Sequence, residues 1–191
     1  MRKLKLQMQI SVDGYVAGPN GELDWMTWDH DDQLIQFIND LTDSSDTILL
    51  GRKMTDGFVN YWENVVNNQP ESPEYSFARK MVDTPKVVFS KTLDASRWNN
   101  TALAKGNLAD EIANLKNRSG KDIIVYGGAG FVSSLIKEGH IDELNLFVNP
   151  IMINKGMRIF DLLDKRQKLT LLDSKPYESG VAVLRYKLSN E

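Results

Sequence analysis

From residue 4 to 12 apolar and polar side chains alternate (Leu-Lys-Leu-Gln-Met-Gln-Ile-Ser-Val), the pattern of a first strand with one face buried. The alternation ends at Asp13-Gly14. Ala17-Gly18-Pro19-Asn20-Gly21 is then so dense in turn formers that it predicts a surface loop. Leu34, Ile35, Phe37, Ile38 and Leu41 recur at three- and four-residue spacing, which predicts an amphipathic helix with Asp31 and Asp32 at its start. Residues 47–50 and 86–89 read as short apolar strands, and residues 108–115 as a helix. Ile123, Ile124, Val125 and Tyr126 form a continuous run of the kind buried on both faces of a sheet. Three glycines within Gly127-Gly128-Ala129-Gly130 break that run, and an apolar helical pattern resumes over 131–137 before Gly139-His140 stops it. Residues 144–150 are another strand. Residues 169–172 and 181–188 flank Pro176-Tyr177-Glu178-Ser179-Gly180 as a hairpin. Residues 63–76 are the most loop-like stretch, with a short helix over 77–82.

Strands alternating with helices predict a parallel sheet whose carboxyl ends lie along one edge. A chain of 191 residues, 41% hydrophobic and 26% charged, fits a single domain over 1–191. The absence of cysteine excludes disulfides, thiolate metal sites and a cysteine nucleophile, and it suits a reducing cytoplasm. No metal site is expected. A net charge of -3 leaves no basic footprint for nucleic acid. The first seven residues do not build a signal-peptide core, and no apolar run approaches the roughly 20 residues that span a bilayer. A soluble cytoplasmic protein is the expectation.

The strand-to-helix turns carry the candidate chemistry. Gly127, Gly128 and Gly130 allow backbone to approach a ligand, and free N–H groups at the following helix start favour an anion. Gly51-Arg52-Lys53-Met54-Thr55 follows another strand with two cations and a hydroxyl, a suitable set for phosphate oxygens. Ser90-Lys91-Thr92 follows a third. Three such clusters on one edge suggest a shared polyanionic ligand. Gly128-Ala129-Gly130-Phe131-Val132-Ser133 is a poor dinucleotide fingerprint, with no acidic residue about 20 positions on to hold a ribose hydroxyl. Basic and hydroxyl groups at the other strand ends favour a 2′-phosphate instead, and hence NADP over NAD. Trp25, Met26 and Trp28, beside the glycine loop, are either a plug for the core or the wall of a pocket; Trp25 and Trp28 are candidate substrate contacts. Asp31 and Asp32 are either helix caps or pocket-edge carboxylates.

Ser11-Val12-Asp13-Gly14, Gly21-Glu22-Leu23-Asp24-Trp25-Met26-Thr27, Gly51 to Thr55, Val87-Val88-Phe89-Ser90-Lys91, Val125-Tyr126-Gly127-Gly128-Ala129 and Ile141-Asp142-Glu143-Leu144 occur in an order that resembles the dihydrofolate reductase superfamily. The likeness is closest to the reductase domain of bacterial bifunctional riboflavin-biosynthesis deaminase-reductases and their stand-alone relatives. It implies a three-layer α/β fold, with a mostly parallel central sheet, helices on both faces and an antiparallel C-terminal strand. It also implies NADPH across the carboxyl edge and a homodimer. Carried over by position, Val16, Ala17 and Asn20 line the nicotinamide side, and Gly51, Arg52, Lys53, Met54 and Thr55 hold the pyrophosphate. Ser90 and Lys91 contact the adenosine 2′-phosphate end, and Phe89 is a further cofactor-binding residue. Tyr126, Gly127, Gly128, Ala129, Gly130 and Phe131 close over the other side. The implied activity is NADPH-dependent hydride transfer to a small nitrogen heterocycle or imine (a pterin, folate or ribosylaminopyrimidine), with Asp13, Asp31 or Asp32 near the reacting centre. Dihydrofolate reductase proper and a non-catalytic NADPH-binding protein are the alternatives. The family's riboflavin members usually carry Lys or Arg directly after the Asp-Gly pair, where this chain has Tyr15.

Overall fold

The computed structural model describes residues 1–189. Its elements run β1 (Leu4–Ser11), α1 (Asp32–Asp43), β2 (Ser45–Gly51), α2 (Arg52–Asn68), α3 (Tyr75–Asp83), β3 (Lys86–Phe89), β4 (Thr101–Ala104), α4 (Leu108–Asn117), β5 (Asp122–Gly127), α5 (Ala129–Lys137), β6 (Glu143–Asn149), β7 (Leu169–Pro176) and β8 (Ala182–Leu188). The strands form one sheet in the order β4-β3-β2-β5-β1-β6-β8-β7. β1 to β6 pair in parallel wherever they meet, and β8 runs antiparallel to both β6 and β7. This is the dihydrofolate reductase-like arrangement that the resemblance implied.

The period-two alternation of β1 sorts its side chains between two layers. Leu4, Leu6, Met8 and Ile10 join Ile112 and Leu115 of α4 and Val132 and Leu135 of α5 in one buried cluster. Leu34, Ile38 and Leu41 of α1, Val59 of α2 and Met81 of α3 pack with Ile48, Leu50 and Ile124 on the other face. Each fully buried Leu or Ile stabilises the fold by about 1.5–3 kcal/mol in transfer free energy. The polar face of β1, read from sequence as solvent-facing, is therefore covered by α1, and Gln7 and Ser11 are buried. A central strand has no free face, so its polar residues must lie under a helix.

Two stretches differ from the sequence expectation. Residues 63–68 continue α2, because Thr55, Val59 and Val65 form one buried stripe along it, whereas the Asn-rich composition suggested a loop. β4, not expected from sequence, is a four-residue edge strand whose register against β3 pairs Lys86 with Thr101 and Phe89 with Ala104. Among the described residues no helix is long and apolar enough to cross a membrane.

Candidate functional site

All six parallel strands end on one edge, which brings Ser11, Gly51, Phe89, Ala104, Gly127 and Asn149 into a row. β1 pairs with β5 only through Leu4, Leu6 and the residue between them, while its pairing with β6 runs on to Ser11. The outer half of β1 therefore overhangs, and a crevice opens beside it where β5 turns away at Gly127. This is the switch point at which open α/β sheets bind ligands.

The two glycine turns meet across β5 from this crevice, at the paired ends of β2 and β5. Gly51 is the N-cap of α2 and Gly128 the N-cap of α5, and neither cap makes a side-chain hydrogen bond. A Cβ at Gly51 would stand 3.0 Å from Phe131 Cβ and 3.3 Å from both Gly128 Cα and N. The backbones of the two turns are thus in contact, and two helix N-termini with unsatisfied N–H groups converge on one spot. Gly127 has φ +149°, a conformation that favours glycine, and a Cβ there would come within 2.9 Å of Met54 Sδ. Met54 Sδ accepts from Gly128 N–H at 2.8 Å, tying the first turn of α2 to the second turn. Phe89 and Phe131, with ring centroids 4.8 Å apart, wall this junction on the α5 side. At Gly130 the surface is open, and a Cβ there would meet nothing within 4 Å.

Arg52, Lys53 and Lys91 are exposed on the same edge and form no ion pair among the described residues. The hydroxyls expected beside them are engaged elsewhere. Thr55 is fully buried and donates to Gly51 O at 3.1 Å, so it builds the turn and does not face a ligand. Ser90 is buried, and its Oγ accepts from the N–H groups of Thr92 and Leu93. Tyr126 shares the α1 face with Ile124 by strand alternation. Its hydroxyl lies 3.0 Å from Thr42 Oγ, its ring packs on Phe58, and burial pushes the phenol pKa up. Its side chain is core, so of the expected 126–131 contact only the segment from Gly127 onward faces the crevice.

The loop after β1 is clasped by the segment after β6. Val16 N–H donates to Met157 O at 2.9 Å, Met157 N–H donates to Ala17 O at 2.8 Å, and both Val16 and Ala17 are buried. Asn20 is exposed and tied to Glu22 through its backbone N–H and Nδ2. Trp28 is 59% exposed and Trp25 half-buried, with its indole N–H on Glu22 O, so neither plugs the core.

Two of the three candidate acids, Asp13 and Asp31, are held as carboxylates by hydrogen-bond donors. Asp13 accepts from Ser11 Oγ at 2.6 Å; this bond, helped by the N–H groups of Asn154 and Ile153, outweighs desolvation and holds its pKa below the ordinary carboxylate value. Asp31 is the N-cap of α1, accepting from Leu34 N–H at 2.9 Å. Desolvation raises its pKa, but the backbone N–H groups of Leu34, Ser179, Glu178 and Gln33 together outweigh it and leave the value lowered. Asp32 is exposed in the first turn of α1. Capping, the plainer of the two sequence readings, accounts for Asp31.

Three other residues stand at this edge without having been singled out. Asn149, fully buried at the end of β6, bonds both Gln9 on β1 and the backbone N–H of Thr27. Arg158 lies over the Tyr15 ring at 4.3 Å and donates to Tyr15 Oη at 2.9 Å, a bond that raises its own pKa. A cation thus stands beside Tyr15, supplied by a segment 143 residues away in sequence. The alternation of β1 could have flagged Gln9; nothing local flags Asn149 or Arg158. At the opposite edge a concavity of about 610 Å³ is lined by Arg2, Lys116 and Arg118, but Arg2 is paired with Asp46 and Lys116 with Asp142.

Comparison with known proteins agrees with this arrangement. The Bacillus subtilis protein YyaP is 31% identical over 185 residues, 97% of this chain and 94% of YyaP. The crystal structure of a Shewanella sp. PV-4 protein named for riboflavin biosynthesis superimposes with a TM-score of 0.74 at 23% identity, covering 100% of both chains. Dihydrofolate reductase from Enterococcus faecalis, solved with NADP(H), gives a TM-score of 0.61 at 14% identity, covering 98% of this chain and 97% of that one. At these identities the two structures establish the fold. The family model described as the RibD C-terminal domain matches residues 2–183, and the chain belongs to that family.

Proposed function

We propose that the protein is a stand-alone, cytoplasmic NADPH-dependent reductase of a small nitrogen heterocycle or imine. The observation that carries this reading is the backbone contact between Gly51 and Gly128, which aims two uncapped helix N-termini at one point of the carboxyl edge. A pyrophosphate suits that point: apart from the Gly128 N–H held by Met54 Sδ, the first-turn N–H groups have no partner among the described residues, Gly130 leaves room, and Arg52 and Lys53 supply charge that is unfavourable at a helix start unless an anion compensates. Lys91, just past the end of the neighbouring strand β3, supplies a cation for a 2′-phosphate and with it a preference for NADPH over NADH. NADPH, when bound, supplies the hydride. Since Asp13 and Asp31 are held as carboxylates by N–H and O–H donors, the proton comes from solvent water. The NADP(H) complex of the Enterococcus reductase and the riboflavin-biosynthesis name of the Shewanella protein support the reading.

Titration with NADPH and NADH, followed by tryptophan fluorescence and calorimetry, tests the cofactor. Saturation by NADPH with weaker NADH binding is expected, and no response to NADPH up to millimolar concentration would sink the proposal. Consumption of NADPH with dihydropterins, dihydrofolate and ribosylaminopyrimidines tests the activity. We also propose a homodimer through β7, whose eight residues are all exposed, Leu169, Leu171 and Leu172 among them. Light scattering that gives a mass near the 21.7 kDa of one chain would refute the dimer.

A further inference from the structure

The loop that follows β1 contains Asn20-Gly21, the one Asn-Gly pair of the chain. An asparagine side chain is open to attack by the peptide nitrogen of the next residue, and glycine, having no Cβ, leaves that nitrogen unscreened. Both residues are exposed, and a Cβ at Gly21 would meet nothing within 4 Å. The two Asp-Gly pairs of the chain are shut off by comparison. Ser11, Ile153 and Asn154 donate to the Asp13 carboxylate before Gly14 and keep it ionised, which makes it a poor electrophile. Asp56-Gly57 lies inside α2, where the regular backbone fixes the Gly57 nitrogen and the carboxylate is held by Arg97 and the Trp98 indole N–H.

In the closed loop Glu22 clamps the reactive pair. Its carboxylate accepts from Asn20 N–H at 2.9 Å and from Asn20 Nδ2 at 2.7 Å, while Gly21 N–H donates to Gly18 O at 3.1 Å and Gly18 N–H to Glu22 O at 2.9 Å. Attack on the side chain therefore waits for a local opening. The same bonds determine what the reaction does to the loop, because the atom it removes is Nδ2, the donor that grips Glu22. A carboxylate takes its place. The Asn20 side-chain bond, with the N–H groups of Glu22 and Asn20, holds the Glu22 pKa below the ordinary carboxylate value, so Glu22 is ionised at neutral pH and the two acids repel. Glu22 O also accepts from the Trp25 indole N–H at 3.1 Å, so release of the clamp reaches Trp25.

We propose that Asn20 is a modification site, where loss of ammonia leaves aspartate or isoaspartate and opens the loop over residues 18–22 in one direction only. The Gly21 nitrogen, its proton taken by solvent base, bonds to Asn20 Cγ; the Cγ–Nδ2 bond breaks and Nδ2 leaves as ammonia with a proton from water. Water then adds to one of the two carbonyls of the cyclic imide. Opening at Cγ breaks the new bond to the Gly21 nitrogen and gives aspartate, whereas opening at the main-chain carbonyl breaks the original peptide bond and gives isoaspartate. Nothing is oxidised or reduced. Glu22 is the brake on the reaction and, once it has occurred, the charge that drives the loop apart. This switch is independent of what the crevice binds.

The test keeps full-length protein warm in mildly alkaline buffer and follows it by peptide mapping, with isoaspartyl methyltransferase labelling to mark the isomer. Asn20 is expected to be the first asparagine to gain the mass of deamidation. Glu22→Ala removes the clamp and should speed that gain about tenfold, the equivalent of roughly 1.4 kcal/mol in holding the loop closed. Asn20→Asp supplies the product directly; it should shift tryptophan emission to the red and speed hydrogen exchange at the Gly18 and Gly21 N–H groups, and the emission shift should vanish when Trp25→Phe is added. The proposal is overturned if another asparagine reacts first in wild type, if Glu22→Ala reacts no faster than wild type, or if Asn20→Asp keeps wild-type emission and exchange.

Discussion

Replacing Gly130 by alanine separates a phosphate cradle from a mere tight turn. Gly130 is the second residue of α5, and a Cβ built there meets nothing within 4 Å, so the free protein has room for it. Alanine also has the higher helix propensity, worth up to about 1 kcal/mol in a helix interior and less in a first turn. Gly130→Ala should therefore leave stability unchanged or raise it by roughly 0.5 kcal/mol, one to two degrees in melting temperature for a chain of this size. If a pyrophosphate packs against the start of α5, the same methyl group intrudes on it, and NADPH affinity should fall about tenfold, or roughly 1.4 kcal/mol. Gly51→Ala makes the contrasting case. Its φ of -74° accommodates alanine, but the new Cβ would sit 3.0 Å from Phe131 Cβ and 3.3 Å from the Gly128 backbone. Prising the two turns apart should cost about 1–3 kcal/mol of stability, the usual range for overpacking, together with NADPH binding. Thermal melts and NADPH titrations on both variants decide the matter. Unchanged NADPH affinity in Gly130→Ala would refute the placement of the pyrophosphate at α5.

Lys86 is buried at the start of β3, where it donates to Val82 O and Thr84 O, and burial pushes its pKa from 10.5 down to about 8. Between those values the unfolded chain holds a proton that the folded one has lost, so stability should rise with pH from 8 to 10.5, by roughly 2–3 kcal/mol in all. Urea titrations across that window should show the rise in wild type and a shallower one in Lys86→Met; parallel curves would contradict it. Lys91→Ala should weaken NADPH binding several-fold and leave NADH binding nearly unchanged, and equal losses for both cofactors would remove Lys91 from the 2′-phosphate. Asp31→Asn should retain both cap and turnover, since asparagine caps as well as aspartate, whereas Asp31→Ala should lower the melting temperature. Loss of NADPH turnover in Asp31→Asn would instead favour dihydrofolate reductase-type chemistry. Because the folded pKa of Asp31 lies below its unfolded value, its contribution is present above the unfolded pKa and fades as pH falls through the folded one.

Periodicity alone determined most of the elements. The alternation of β1, the apolar run of β5 and the three-and-four spacing of α1 are local consequences of which side chains must leave water, and they are readable without a partner strand. The glycine turns and the cations after the strands were legible for the same reason, because a strand running into Gly51 or Gly127 has few conformations open to it. Tertiary packing decided the rest. It showed that the polar face of β1 lies under α1, that Thr55 and Ser90 turn inward to their own backbones, and that Tyr126 belongs to the core. It joined Gln9 to Asn149 across 140 positions and Tyr15 to Arg158 across 143, distances over which sequence pattern carries no geometry. A side chain's face follows from its neighbours in the chain, but what that face meets depends on strand order. Only the insertion of β5 between β2 and β1 brings Gly51 against Gly128.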